Sequence, residues 1–174
     1  MKFFGPLSRT IALAGLFSVA LFSAPAMAAK ADVALLQSYI GQWKGRGQLI
    51  GAESETVVCR LTLSQGNQDK VNYAGRCSLA GTALSVNGTL AYNDGKKRFE
   101  AAMTSNATFS GLAVGKKSGN GVVFNLKETG EDEEGKPMTM TAQIALNGGK
   151  INVQFNVVFN ETGDQLRASV PFTK

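Results

Sequence analysis

The stretch KINVQFNVVFN, Lys150 to Asn160, sets the fold. Ile151, Val153, Phe155, Val157 and Phe159 share one face, while Asn152, Gln154, Asn156 and Asn160 share the other; Val158 alone breaks the polar side. Alternation of period two belongs to a strand with one face buried and one wet. The same code runs outward from it: Met138, Met140, Ala142, Ile144, Leu146 and Val122, Phe124, Leu126 before, Leu166, Ala168, Val170, Phe172 after. Further upstream it recurs in Phe99, Ala101, Met103; in Leu84, Val86, Leu90, Tyr92; in Val71, Tyr73, Cys77, Leu79; and in Val57, Cys59, Leu61, Leu63. Turn signals separate most of them, namely Gly66-Asn67, Asn93-Asp94-Gly95, Ser118-Gly119-Asn120-Gly121, Asn147-Gly148-Gly149 and Thr162-Gly163-Asp164. Pro137 and Pro171 stand near strand ends, where a missing N–H is tolerated.

Short connections imply an antiparallel meander. A sheet of roughly nine or ten strands with one apolar face must close, because open edges and an uncovered face would aggregate. The expectation is an all-β chain, a single antiparallel up-and-down β-barrel with a short N-terminal helix over Asp32 to Ile40, Asp32 serving as its N-cap.

The N-terminus carries Lys2 and Arg9, an apolar block from Ile11 to Phe22, and then Ala26-Met27-Ala28. This is the layout of a secretory signal peptide over residues 1–28, cleaved after Ala28 and leaving one barrel domain over 29–174. The block is shorter than the about 20 residues a membrane span needs, so no membrane insertion is expected. The expected address is periplasmic or secreted. Net charge is +5 for the whole chain and +3 once the two leader cations are gone. So small a surplus, with the pairs Lys96-Lys97 and Lys116-Lys117 beside turns and no aromatic residues among them, argues against nucleic acid.

Two cysteines in an oxidising compartment invite a disulfide. Folding the chain about Asn67-Gln68 sets Leu63 opposite Tyr73, Leu61 opposite Gly75, Cys59 opposite Cys77 and Val57 opposite Leu79. All eight belong to the inward set, so Cys59 and Cys77 are expected to bond, as a staple and not a redox pair, since C-x-x-C spacing is missing.

No histidine occurs anywhere, which removes the commonest general base, the Ser-His and Cys-His pairs and histidine metal sites. Asp69, Asp94 and Asp164 sit at turns, and Glu131 to Glu134 form an acidic loop without the alternate spacing of a calcium loop. Only Glu55, with Glu53 beside it, reads as inward-facing acid. The expectation is no enzyme, no cofactor and no metal.

The lone tryptophan lies in GQWKGRGQL, residues 41–49, where Trp43, Gly45, Gly47 and Leu49 share one face and Lys44, Arg46 and Gln48 the other. A large plug is followed by two empty positions, and glycine within a strand marks a bend, a bulge or close approach of another group. Gly41-Gln42-Trp43, after a helical lead and before a series of strands, resembles the calycin group of lipocalins, fatty-acid-binding proteins, avidins and nitrobindin-like barrels. Trp43-Lys44-Gly45-Arg46-Gly47 is similar to the nitrobindin-like W-x-G-x-G. The resemblance implies that Trp43 closes the barrel floor against a basic residue from a late strand, for which Arg167 stands in the matching place. Nitrobindin-like members hold haem through a histidine, and this chain departs from them there.

A small barrel is packed solid or holds one small ligand. A lining of Trp43, Tyr73, Phe99, Met103, Phe124, Met138, Met140 and Phe155 suits an apolar or aromatic molecule. The expected function is an exported, non-enzymatic binding protein for a small apolar ligand. Two alternatives stand beside it: a periplasmic barrel with a protein partner, such as a protease inhibitor, and a solid structural barrel without a ligand.

Overall fold

The computed structural model describes residues 25–79, 82–106, 110–132 and 134–174. The expected leader lies outside the described residues as far as residue 24. Helix α1 (Pro25–Gln37) is followed by ten strands: β1 (Gly41–Ile50), β2 (Ser54–Gln65), β3 (Val71–Leu79), β4 (Thr82–Asn93) and β5 (Arg98–Ser105), then β6 (Ser110–Ser118), β7 (Gly121–Glu131), β8 (Pro137–Asn147), β9 (Lys150–Phe159) and β10 (Gln165–Thr173). Each pairs antiparallel with its sequence neighbours, and β1 also pairs with β10, so the meander closes into the expected up-and-down barrel. Closure leaves none of the ten strands with a free edge. No helix among the described residues is long and apolar enough to cross a membrane.

The turn residues fall where strands end. Between Asn147 and Lys150, Gly148 and Gly149 both adopt positive φ, 58° and 70°, the backbone of a two-residue turn whose twist matches the flanking strands. One strand lacks a sequence signature, β6. Its inward positions are Gly111, Ala113 and Gly115, too small to register as apolar alternation. They are small because neighbours lean over them: a Cβ on Gly115 would lie 2.7 Å from both the Phe124 ring and Phe99 Cβ.

The register about Asn67-Gln68 forms as expected for Leu63–Tyr73, Leu61–Gly75 and Cys59–Cys77, whereas the described ladder begins at Val58–Ser78 and Val57–Leu79 is not a pair. Cys59 and Cys77 are disulfide-bonded with Cα atoms 4.1 Å apart, and no free cysteine remains among the described residues. Such a bond persists in an oxidising compartment. It closes a loop with a sequence separation of 18, so removing it with Cys59→Ala and Cys77→Ala together is expected to cost about 3 kcal/mol. Equilibrium urea unfolding of the double variant checks this, and an unchanged midpoint would refute it.

The helix starts and ends earlier than the sequence pattern indicates. Ala26, Ala28, Ala29 and Ala31 favour helix, so Asp32 stands inside α1 instead of capping it. Only 7% exposed, Asp32 receives the Lys117 ammonium at 2.6 Å, which ties α1 to β6. Leu36, 0% exposed, and Tyr39 join the barrel core, so α1 and the turn after it cover the end where β1 begins.

Candidate ligand-binding site

Burial changes along the barrel axis. At the end covered by α1, the inward side chains Trp43, Leu63, Phe99, Phe124, Leu146 and Phe172 are all buried and form one cluster with Leu36 and Tyr39. Toward the other end the inward positions Leu49, Cys77, Leu84, Val86, Met103, Phe155, Leu166 and Ala168 are half-buried, although the strands close around them. Leu126, Met140 and Val157 at the same end are buried, and Leu49, Cys77, Val86 and Met103 pack against the core cluster. The molecule therefore has a densely packed closed half and a less deeply buried half with an apolar wall, here the open half, to which the Cys59–Cys77 disulfide contributes the half-buried Cys77.

The eight expected lining residues divide between the two halves. Trp43, Tyr73, Phe99 and Phe124 belong to the packed cluster and fill space instead of bordering it. Met103, Met138 and Phe155 are half-buried at inward positions of the open half, and Met140, paired with Glu128 in the same half, is buried at 8% exposure. Tyr73 owes its place to its polar tip: its hydroxyl donates to the Ala102 carbonyl at 3.0 Å. Burial pushes its pKa above the ordinary tyrosine value, so the phenol stays neutral.

Trp43 is buried at the end covered by α1, and Arg167 is not the cation beside it. The indole Nε1 donates to the Tyr39 carbonyl at 2.9 Å, and the Tyr39 ring stacks on it at 6.1 Å. The cation over its face is Lys174, whose Nζ sits 4.9 Å from the ring centroid and also donates to the Ile40 carbonyl at 3.1 Å. Arg167 pairs with Asn156 of β9 and Ile50 of β1, points away from the interior and bonds Gln165. Strand parity decides it: Ala168 and Leu166 take the inward positions, leaving Arg167 outside.

Two carboxylates face the open half. Glu55 pairs with inward Leu49, and its Oε2 is buried without a hydrogen-bond partner. Glu128 was hidden from the sequence pattern because β7 reads as ending at Leu126, whereas the strand continues to Glu131 and keeps its parity. Its carboxylate lies over Gly111, where a Cβ would come within 2.9 Å of Oε1. Glu53 lies in the exposed connection between β1 and β2. No group of three or more potential metal ligands stands together among the described residues.

Two concavities lie elsewhere. One of about 1040 Å³ crosses the outer surface of β7, β8, β9, β10 and β1, between a row of Asn125, Gln143, Gln154, Ser169 and Gln48 and a second row containing Lys127, Asn156 and Arg167. Most of its lining side chains point away from the barrel, so it is an external furrow. The other, about 650 Å³, sits at the rim of the open end between Gly51, Asp132, Lys136 and Asp164, with inward Phe159 and Leu166 in its wall.

No protein-family model matches the chain, and no curated protein matches it in sequence. Solved structures do resemble it. Rv2717c from M. tuberculosis superposes with a TM-score of 0.60 at 12% identity, covering 80% of this chain and 96% of that one. The S-type phycobiliprotein lyase CPES from Guillardia theta gives a TM-score of 0.52 at 10% identity, covering 80% and 89%. The likeness establishes that this chain shares their fold.

Proposed function

We propose that the chain is an exported, non-enzymatic binding protein that holds one small apolar molecule in the open half of its barrel. The observation that carries this reading is the half-burial of inward apolar side chains inside a closed wall of strands. A solid barrel packs its interior to crystal-like density, and the rings of Trp43, Phe99 and Phe124 in the closed half are packed in that way. Apolar surface left in contact with water costs about 25 cal/mol per Å², and a ligand that covers it recovers that free energy. Met103 and Met138 suit the role, since unbranched thioether side chains adapt to varied apolar shapes. The absence of histidine supports binding over catalysis. The Cys59–Cys77 disulfide supports an exported address, and the calycin-like neighbours support a ligand-holding barrel.

Native mass spectrometry of protein purified from its own host tests the reading. The expected result is a retained small-molecule mass lost on denaturation. Ala168→Trp places an indole in the open half and is expected to weaken binding of Nile red, a neutral apolar probe, roughly tenfold or more. Ser169→Trp, one residue along and facing outward, should leave it unchanged. A bare mass, no Nile red binding and inhibition of a protease would instead establish a protein-binding barrel.

A further inference from the structure

We infer that the ligand of the open half is a cationic amphiphile, an apolar body bearing one ammonium group; this rests on the reading of that half as a ligand hollow. The interior of a barrel is an expensive place for charge, and carboxylates placed there need partners. Within the open half, the charged residues at inward strand positions are Glu55 and Glu128, and no lysine or arginine shares that face. Neither carboxylate has a hydrogen-bond or ion-pair partner among the described residues, and Glu55 Oε2 is buried.

They do not offset one another either. β2 and β7 stand five strands apart in the ten-strand ring, so the two carboxylates come from opposite sides of the wall. Gly111 clears the space that the Glu128 carboxylate occupies beside Met103, the residue paired with that glycine. Outside, the rim depression brings Asp132, Glu161 and Asp164 against the single cation Lys136. Two backbone N–H groups, of Glu134 and Lys136, already occupy Asp132 Oδ1. A chain with a net charge of +5 thus presents a negative mouth. Such a local reversal of field draws cations and repels anions. An ammonium on an apolar body would pair with the carboxylates while its body covers the half-exposed wall.

Three probes with one chain length decide it: octylammonium, octanol and octanoate, titrated into the full chain by displacement of Nile red at neutral pH and low salt. Octylammonium is expected to bind at least roughly tenfold more tightly than octanoate, with octanol between, and the spread should narrow as salt screens the charges. Glu55→Gln and Glu128→Gln keep side-chain shape; each should reduce the preference for octylammonium severalfold while leaving octanol affinity, the control for an intact hollow, unchanged. If all three bind alike, or octanoate binds best, the head-group inference falls and the hollow stands. If none binds, the hollow itself is refuted.

Discussion

Replacing Gly47 with alanine is expected to cost roughly 4 kcal/mol or more, whereas the same change at Gly45 should cost roughly 1–3 kcal/mol. Both glycines face inward on β1, two residues apart, and differ in what a methyl group would strike. At Gly47 a Cβ would lie 2.0 Å from the Ser169 carbonyl oxygen and 3.0 Å from Val170 Cα, all backbone of β10. Neither can rotate away; the seam between first and last strands would have to part. The ladder is interrupted there, since the described β1–β10 pairs skip Arg46 and Gly47 between Gly45–Phe172 and Gln48–Ser169, where Pro171 has no N–H to give. At Gly45 the obstacles, at 2.7 Å, are the Phe172 ring and a Val170 methyl, side-chain ends that can give way. Urea unfolding of the two variants side by side measures the contrast. Equal midpoints would mean that the strands do not approach so closely.

Trp43→Ala is the second large effect, roughly 3–5 kcal/mol. The indole is 2% exposed and among the largest fully buried side chains, so its removal leaves a cavity beneath Leu36, Tyr39 and Lys174 that rigid strands cannot collapse to fill. Trp43→Phe separates volume from polarity. It fills most of the space but leaves the Tyr39 carbonyl without its indole donor, a loss of about 1–3 kcal/mol. As the single tryptophan, Trp43 also reports on its own surroundings: its emission should be blue-shifted in the native protein and move red in the same transition that circular dichroism records. A red native spectrum would show a wet indole and contradict the closed floor.

Most of this architecture was legible because one rule, alternation, covers it. Ile151, Val153, Phe155, Val157 and Phe159 all take inward positions, and the turn at Asn147-Gly148-Gly149 marks where the preceding strand stops. The rule failed where the inward residue is not large and apolar. Gly111, Ala113 and Gly115 conceal β6 because neighbouring side chains fill the space over them, and Glu128 conceals the last inward position of β7 because a carboxylate does not read as part of an apolar face. The site was harder. Alternation says that a side chain points inward, not how far along the axis it lies, so buried Phe99 and Phe124 read the same as half-buried Met103 and Phe155. Arg167 illustrates the remaining gap. A cation late in the chain was the right kind of partner for the indole, but Lys174 supplies it, and the resemblance alone gave no register to choose between them.

The closing seam has a kinetic consequence. Nine of the ten strand pairings join neighbours in sequence, and the tenth joins residues as far apart as Gly45 and Phe172. Hairpins with short turns assemble quickly, whereas distant segments meet slowly because the loop entropy is lost before contacts compensate. Zipping around the ring therefore runs ahead of its final stitch, and the rate of folding is set where Gly47 lets the first ribbon meet the last.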